Sequence, residues 1–311
     1  MTIMRQGLLW LSEQQKVFGF VRGNPLARKF ASRFVAGEEL DEGVAAAVEM
    51  ARKGITSSLD LLGESVRQPA EAEAAAAQYV DMIARMARAG IEVNVSVKLT
   101  QMGFDIDEAL CHRNMVRILD AAKAHQGFVR LDMESSAYTQ RTLDFFTKRL
   151  FPDYGAYCGV VIQSMLRRSE SDIDALVAMK ARVRLCKGAY LEPASVAFPE
   201  KADVDRSYVR CMEKLLLSGG YHGLATHDEK MIEHAQRFTK LHEIAPARFE
   251  FQMLYGVRRD LQERLKASGY NMRVYIPFGT QWYPYLMRRL AERPANIAFM
   301  LGNIVKEGTG R

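Results

Sequence analysis

Cysteine is scarce in this chain, four among 311 residues, and Cys111, Cys158, Cys186 and Cys211 form no CxxC pair. So few and so scattered thiols build neither a disulfide framework nor a cysteine-ligated metal site, so free thiols in a reducing, cytoplasmic setting are expected. Long apolar runs are missing as well. An uncharged stretch such as 274–287 falls short of the ~20 residues a membrane-spanning helix needs and contains Pro277 and Pro284. The apolar piece at 8–11 is cut off by Glu13 and Lys16, so no signal peptide is expected. Charge of one sign is not in great excess: 43 Lys and Arg against 37 Asp and Glu give a net +6, interspersed rather than gathered into a stripe. That distribution argues against a nucleic-acid partner. There is no GxGxxG, no GxxxxGK[ST] and no HExxH, and His227-Asp228 alone is a weak metal signal, so no metal is expected.

What the chain does have is apolar content, 48% of its residues, and a rhythm. Short β-branched or apolar runs at 58–62, 93–99, 128–133, 159–164, 183–187, 223–226, 249–254 and 273–277 alternate with helical patterns, several of them stopped by glycine at 90, 127, 219 and 269. Eight strands with helices between them predict an α/β fold, a (β/α)8 TIM-like barrel over residues 55–311. An open doubly wound sheet is the alternative, weakened by the missing phosphate-binding glycine motifs. Residues 1–54 read as helices without a strand, an N-terminal helical arm.

Barrel strands are covered on both faces and ordinarily read as continuous Val, Ile and Leu. Several here do not. Asn94, Ser96 and Lys98 alternate with Val93, Val95, Val97 and Leu99; Arg130, Asp132 and Glu134 alternate with Val129, Leu131 and Met133; Arg182 and Arg184 flank Val183. A side-chain period of two turns one polar face into the barrel. For Arg130 and Arg182, early in their strands, a self-satisfied ion network is expected, with Glu134 as a partner for Arg130. Residues late in the strands lie toward the C-terminal face, where barrel enzymes hold their active sites. Lys98, Asp132, Gln163, Arg184, Lys187, Thr226 and His227 are all of this kind. In the last helical segment Tyr285, Arg288, Arg289 and Glu292 share a face, and two adjacent arginines suit a bidentate carboxylate clamp. Lys98, Arg184 and Lys187 against Asp132 predict a net cationic mouth and an anionic ligand. On these residues alone a Schiff base at Lys98 or Lys187 remains a second reading, and a noncatalytic binding barrel a third.

At these positions the sequence resembles the proline dehydrogenases, in their monofunctional bacterial form. The matching segments include Val95-Ser96-Val97-Lys98-Leu99, Leu131-Asp132-Met133-Glu134, Val161-Ile162-Gln163-Ser164, Arg184-Leu185-Cys186-Lys187-Gly188-Ala189-Tyr190 and Ala225-Thr226-His227-Asp228. Phe249-Glu250-Phe251-Gln252-Met253-Leu254-Tyr255-Gly256, Tyr275-Ile276-Pro277-Phe278-Gly279 and Tyr285-Leu286-Met287-Arg288-Arg289 follow in the family's order. Cys186 and Met165 depart from the family's usual aliphatic and aromatic residues.

The resemblance implies a distorted barrel holding FAD noncovalently. It implies that Lys98, Arg288 and Arg289 bind the proline carboxylate, that Tyr190, Tyr275 and Tyr285 line the ring pocket with Leu185 packed near it, and that Asp132 orients proline among the cations. Gln163 and Arg184 would contact the isoalloxazine edge with Met133 beside it, Arg184 stabilising the charge that develops there. Lys187, Gly188, Ala189, Thr226 and His227 would hold the ribityl, pyrophosphate and adenosine parts. The implied reaction is oxidation of L-proline to Δ1-pyrroline-5-carboxylate by hydride transfer to flavin N5, with quinone as electron acceptor. A quinone acceptor in turn implies peripheral contact with the inner face of the cell membrane, and a separate pyrroline-5-carboxylate dehydrogenase to consume the product.

Overall fold

The computed structural model describes residues 31–292, with side chains through Met287. Eight parallel strands close into a barrel in strict sequence order. They are β1 Thr56–Leu61, β2 Asn94–Val97, β3 Phe128–Leu131, β4 Cys158–Gln163, β5 Arg182–Cys186, β6 His222–Ala225, β7 Phe249–Leu254 and β8 Asn271–Phe278. Each falls on one of the eight runs read from the sequence. The barrel is sealed by β8 on β1, paired from Thr56 with Arg273 to Leu61 with Phe278.

The helices longer than two turns are α1 Leu40–Arg52, α2 Pro69–Arg88, α3 Glu108–Ala124, α4 Ser136–Phe145, α5 Ser169–Ala178, α6 Lys201–Leu217, α7 Glu229–Leu241, α8 Arg259–Ala267 and α9 Trp282–Glu292. Their starts follow local chemistry. Pro69 opens α2 where an N–H would have no partner, and the Asp107 carboxylate accepts from the backbone N–H of Ala109 and Leu110 to cap α3.

The strands obey the period-two reading. Leu59, Val95, Val97, Val129, Leu131, Val160, Val183, Leu224, Phe251, Val274 and Ile276 are fully buried in one apolar cluster with the helices. Their neighbours Ser58, Asp60, Ser96, Arg130, Arg184, Gln252 and Arg273 are also buried, inside the barrel. Charged side chains there need room. Gly159 provides some, since a Cβ at that position would run into the Arg130 guanidinium and the Arg182 carbonyl.

The outer ring closes irregularly. Helix α1, which precedes β1, packs against both β1 and β8 and buries Ala46, Ala47 and Met50 in the main cluster. Helix α9, which follows β8, packs instead with Ala31, Phe34, Val35 and Leu62 through Trp282, Tyr283, Tyr285, Leu286 and Met287. Leu62 directly follows β1, so α9 stands over the C-terminal rim. An apolar face on α9 and a second on α1 thus exchange the usual places of a barrel's last helix and its leader. The sequence division at residue 54 leaves α1 in the arm, whereas α1 belongs to the barrel's core; the first 30 residues of that arm lie outside the described residues. No helix among the described residues is long and apolar enough to cross a membrane.

Candidate active site

Six strands, β1, β2, β3, β5, β7 and β8, bring polar side chains together at the C-terminal mouth. Asp132, just past β3, accepts hydrogen bonds on both oxygens: Oδ1 from Arg184 Nη1 at 2.8 Å and Oδ2 from the Tyr275 hydroxyl at 2.8 Å. Arg184 is pinned further, donating to Ser96 Oγ at 3.1 Å and from Nε to Gln252 Oε1, with its guanidinium 5.3 Å over the Tyr275 ring. Beside this group Lys98 Nζ lies 3.2 Å from Asp60 Oδ1 and 3.4 Å from Oδ2. The Lys98 and Asp60 side chains are 12% and 1% exposed, so the pair is nearly dry.

Dry carboxylates and cations set one another's protonation. Burial, together with the neighbouring Asp132 charge, pushes the Asp60 pKa above the usual range, against the pull of Lys98. Burial disfavours the Lys98 ammonium, yet Asp60 and Asp132 outweigh it and hold its pKa above the ordinary lysine value. Burial and the same two carboxylates push the Tyr275 phenol well up, so it stays a neutral donor. The Tyr79 hydroxyl, reaching in from α2, donates to the Ser96 carbonyl at 2.8 Å and braces β2 from outside.

The expected excess of positive charge at the mouth is corrected here. Asp60 matches Lys98, Asp132 matches Arg184, and Lys187 sits between two carboxylates, Asp205 Oδ1 and Asp228 Oδ2. Arg288 and Arg289 lie in α9 with side chains outside the described residues. The expected ion pair between Arg130 and Glu134 is also not formed. Arg130 Nη1 donates to the Arg182 carbonyl at 2.8 Å, while Glu134 accepts from Thr100, at 2.6 Å from its hydroxyl. The reason is position: Glu134 has left β3 and turned outward to the loop after β2, whereas Arg130 remains near the barrel floor.

A second group lies along the ends of β4, β5 and β6. Gln163 Nε2 donates to the carbonyls of Met133 and Glu134, at 3.2 and 2.8 Å, while its buried Oε1 finds no partner among the described residues. After β5 the chain turns at Gly188, where φ is +105° and a Cβ would run into the Met165 thioether. Asp228 caps α7, its Oδ1 accepting from Lys230 N at 3.1 Å, and receives Lys187 on its other oxygen. Burial alone would raise its pKa, but the Lys187 hydrogen bond holds it below the usual carboxylate range. Thr226 Oγ1 accepts from Asp228 N, and His227 Nε2 accepts from Leu254 N at 2.9 Å. Ala189 and Tyr190 follow Gly188, with Tyr190 packed on Met165, Leu166 and Ala197. Leu185 is wholly buried in the main cluster, and Tyr285 is buried in the α9 cluster.

Asp60 and Gln252 escaped the sequence reading. Their signal was present: Ser58 and Asp60 alternate with Leu59 and Leu61, and Glu250 and Gln252 alternate with Phe249, Phe251 and Met253. It is the same alternation that exposed Lys98 and Asp132.

The family described as proline dehydrogenase matches residues 44–301. The chain is 42% identical to the proline dehydrogenase of Deinococcus radiodurans, over 98% of each chain. It is 41% identical to proline dehydrogenase 2 of Bacillus subtilis, over 98% of this chain and all of that one. Among solved structures, proline utilization A of Bdellovibrio bacteriovorus inactivated by N-propargylglycine superposes with a TM-score of 0.80 at 25% identity. That superposition covers 90% of this chain and only 34% of the larger protein.

Proposed function

The chain belongs to the proline dehydrogenase family, and from that premise we propose that it oxidises L-proline to Δ1-pyrroline-5-carboxylate with a noncovalently bound FAD. The observation that carries the reading is the closed group of Asp132, Arg184 and Tyr275 with Lys98 and Asp60 beside it, a preorganised cluster of paired charges at the mouth of a barrel. The residues fit a flavin. Gln163 offers an unpartnered buried oxygen and Gly188 keeps a turn open where any side chain would intrude; Lys187 would serve a pyrophosphate only by leaving Asp205 or Asp228.

When bound, a flavin would supply the two-electron acceptor for the hydride that leaves the ring carbon next to the amine. The protein's own part is orientation and charge. Arg288, Arg289 and Lys98 clamp the carboxylate, which fixes the ring carbon without touching it. Tyr190, Tyr275 and Tyr285 wall the ring. Asp132 holds Arg184 and Tyr275 in place, and Arg184 lends positive charge where negative charge develops. Met133, Ala189, Thr226 and His227 complete the cofactor's bed. A quinone reached through peripheral membrane contact would be the electron acceptor, and a separate pyrroline-5-carboxylate dehydrogenase would take the product.

A Schiff-base reading loses ground on Lys98. An amine nucleophile must shed its proton near neutral pH, and Lys98 is held protonated by two carboxylates. The test is spectroscopic. Purified protein should be yellow and should bleach when L-proline is added without oxygen; a colourless protein with a borohydride-trappable lysine would overturn the proposal.

A further inference from the structure

At the end of the barrel away from the mouth a cavity of about 400 Å³ opens among the first residues of β1, β5, β7 and β8. That size is at the lower end for small-molecule sites. Three cations line it, Arg182, Arg273 and Lys266, against two carboxylates, Glu92 and Glu250. One positive charge is in excess.

The carboxylates are already spent. Glu250 accepts from Arg273 Nε at 2.8 Å, from the Tyr221 hydroxyl at 3.1 Å and from Gln252 Nε2. Glu92 accepts from Arg273 Nη2 at 2.8 Å, and Arg273 Nη1 donates to the Ser57 carbonyl. Arg182 is held differently from Arg273. Its guanidinium lies between the faces of Phe128, 4.1 Å away, and Tyr221, 4.9 Å away. Its buried Nε has no hydrogen-bond partner, and it forms no ion pair among the described residues. Neighbouring Arg130 stacks on the same Phe128 ring and also has an unpartnered Nε, so it supplies no compensating charge. Stacking between two rings fixes the plane of a guanidinium and leaves its in-plane N–H edge for a planar oxyanion.

We infer that the barrel floor binds a small organic monocarboxylate, its two oxygens on the Arg182 edge and its charge supported by Lys266 at the rim. A single negative charge balances the lining. A second would exceed that balance in a lining that already holds Glu92 and Glu250, which disfavours phosphate.

Trifluoroacetate titrated into the flavin-loaded protein and followed by fluorine NMR line broadening tests the site. Saturable broadening should persist in Arg289→Ala, which removes part of the clamp at the mouth, and disappear when Arg182→Gln is added to that variant, while Arg182→Gln alone continues to oxidise proline. Lys266→Glu, on the exposed face of α8, should weaken binding about fivefold without disturbing the core. No saturable broadening in the parent protein, its loss in Arg289→Ala, or unchanged affinity in Lys266→Glu would each overturn the inference. So would displacement by inorganic phosphate at lower concentration than by acetate, which would make the floor a phosphate site.

Discussion

Asp60 shows how much of the mouth depends on one side chain. It is 1% exposed, it is the nearest anion to Lys98, and it shares the cluster with Asp132. Replacing it by Asn leaves a buried ammonium leaning on Asp132 alone, an arrangement that costs several kcal/mol. Asp60→Asn should therefore lower kcat/KM for proline by roughly 10²–10³, mainly through KM, because Lys98 is the group that drifts. Steady-state kinetics decide it, and an unchanged KM would remove Lys98 from the carboxylate site. Nothing in the local sequence announced that Asp60 and Lys98 meet. They are 38 residues apart, and Asp132 and Tyr275 are separated by 143. The alternation of polar and apolar residues told which way each side chain points, not which partner it finds across the barrel.

Elements carry two further predictions, one at the turn after β5 and one where β6 begins. Gly188 adopts φ +105°, a conformation that side chains rarely tolerate, and it also abuts Met165. Gly188→Ala should retain less flavin, read as a lower ratio of visible to ultraviolet absorbance after purification. Adding Met165→Ala should restore only part of it, since the backbone strain remains. At β6, His222 joins three elements: its Nδ1 accepts from Val183 N at 3.1 Å, and its Nε2 lies 2.9 Å from Ser218 Oγ. Burial, with Arg130 and Arg182 nearby, lowers its pKa from 6.5 to about 4. Because the folded value is depressed, the unfolded chain takes up the proton first as pH falls. Stability contributed by neutral His222 is whole above pH 6.5 and is lost as pH falls toward 4, by an amount on the order of 3 kcal/mol. Urea unfolding of His222→Gln should lose most of the slope between pH 7 and 5 that the parent shows.

At the scale of the whole molecule the barrel interior is one connected polar core. Gln252 joins its two ends, donating to Glu250 on the floor side and accepting from Arg184 on the mouth side. Over the rim, α9 rests on residues just before α1. A truncation that keeps this support must therefore begin no later than Ala31. Deleting residues 1–30 should spare proline oxidation and, on the proposal that they carry a peripheral membrane contact, reduce co-sedimentation with anionic lipid vesicles severalfold; unchanged sedimentation would remove that role from them.

The amino-acid sequence by itself determined the number of strands, their order along the chain, and the face each side chain takes. Those properties follow from hydrophobic period and turn chemistry, which are local. It also exposed Lys98, Asp132 and Arg184 as side chains that meet at one mouth, because polar residues late in the strands of a closed barrel must converge; Tyr275 was indicated only by the family resemblance. Only the tertiary structure decided which charges neutralise which. It replaced the pairing of Arg130 with Glu134 by one of Glu134 with Thr100, brought Asp60 in to balance Lys98, and left Arg182 stacked without a carboxylate. It also put α1 in the ring and α9 over the mouth. Pairing and docking of this kind depend on distances between residues far apart in the chain, set by barrel closure and packing, and no local pattern encodes them.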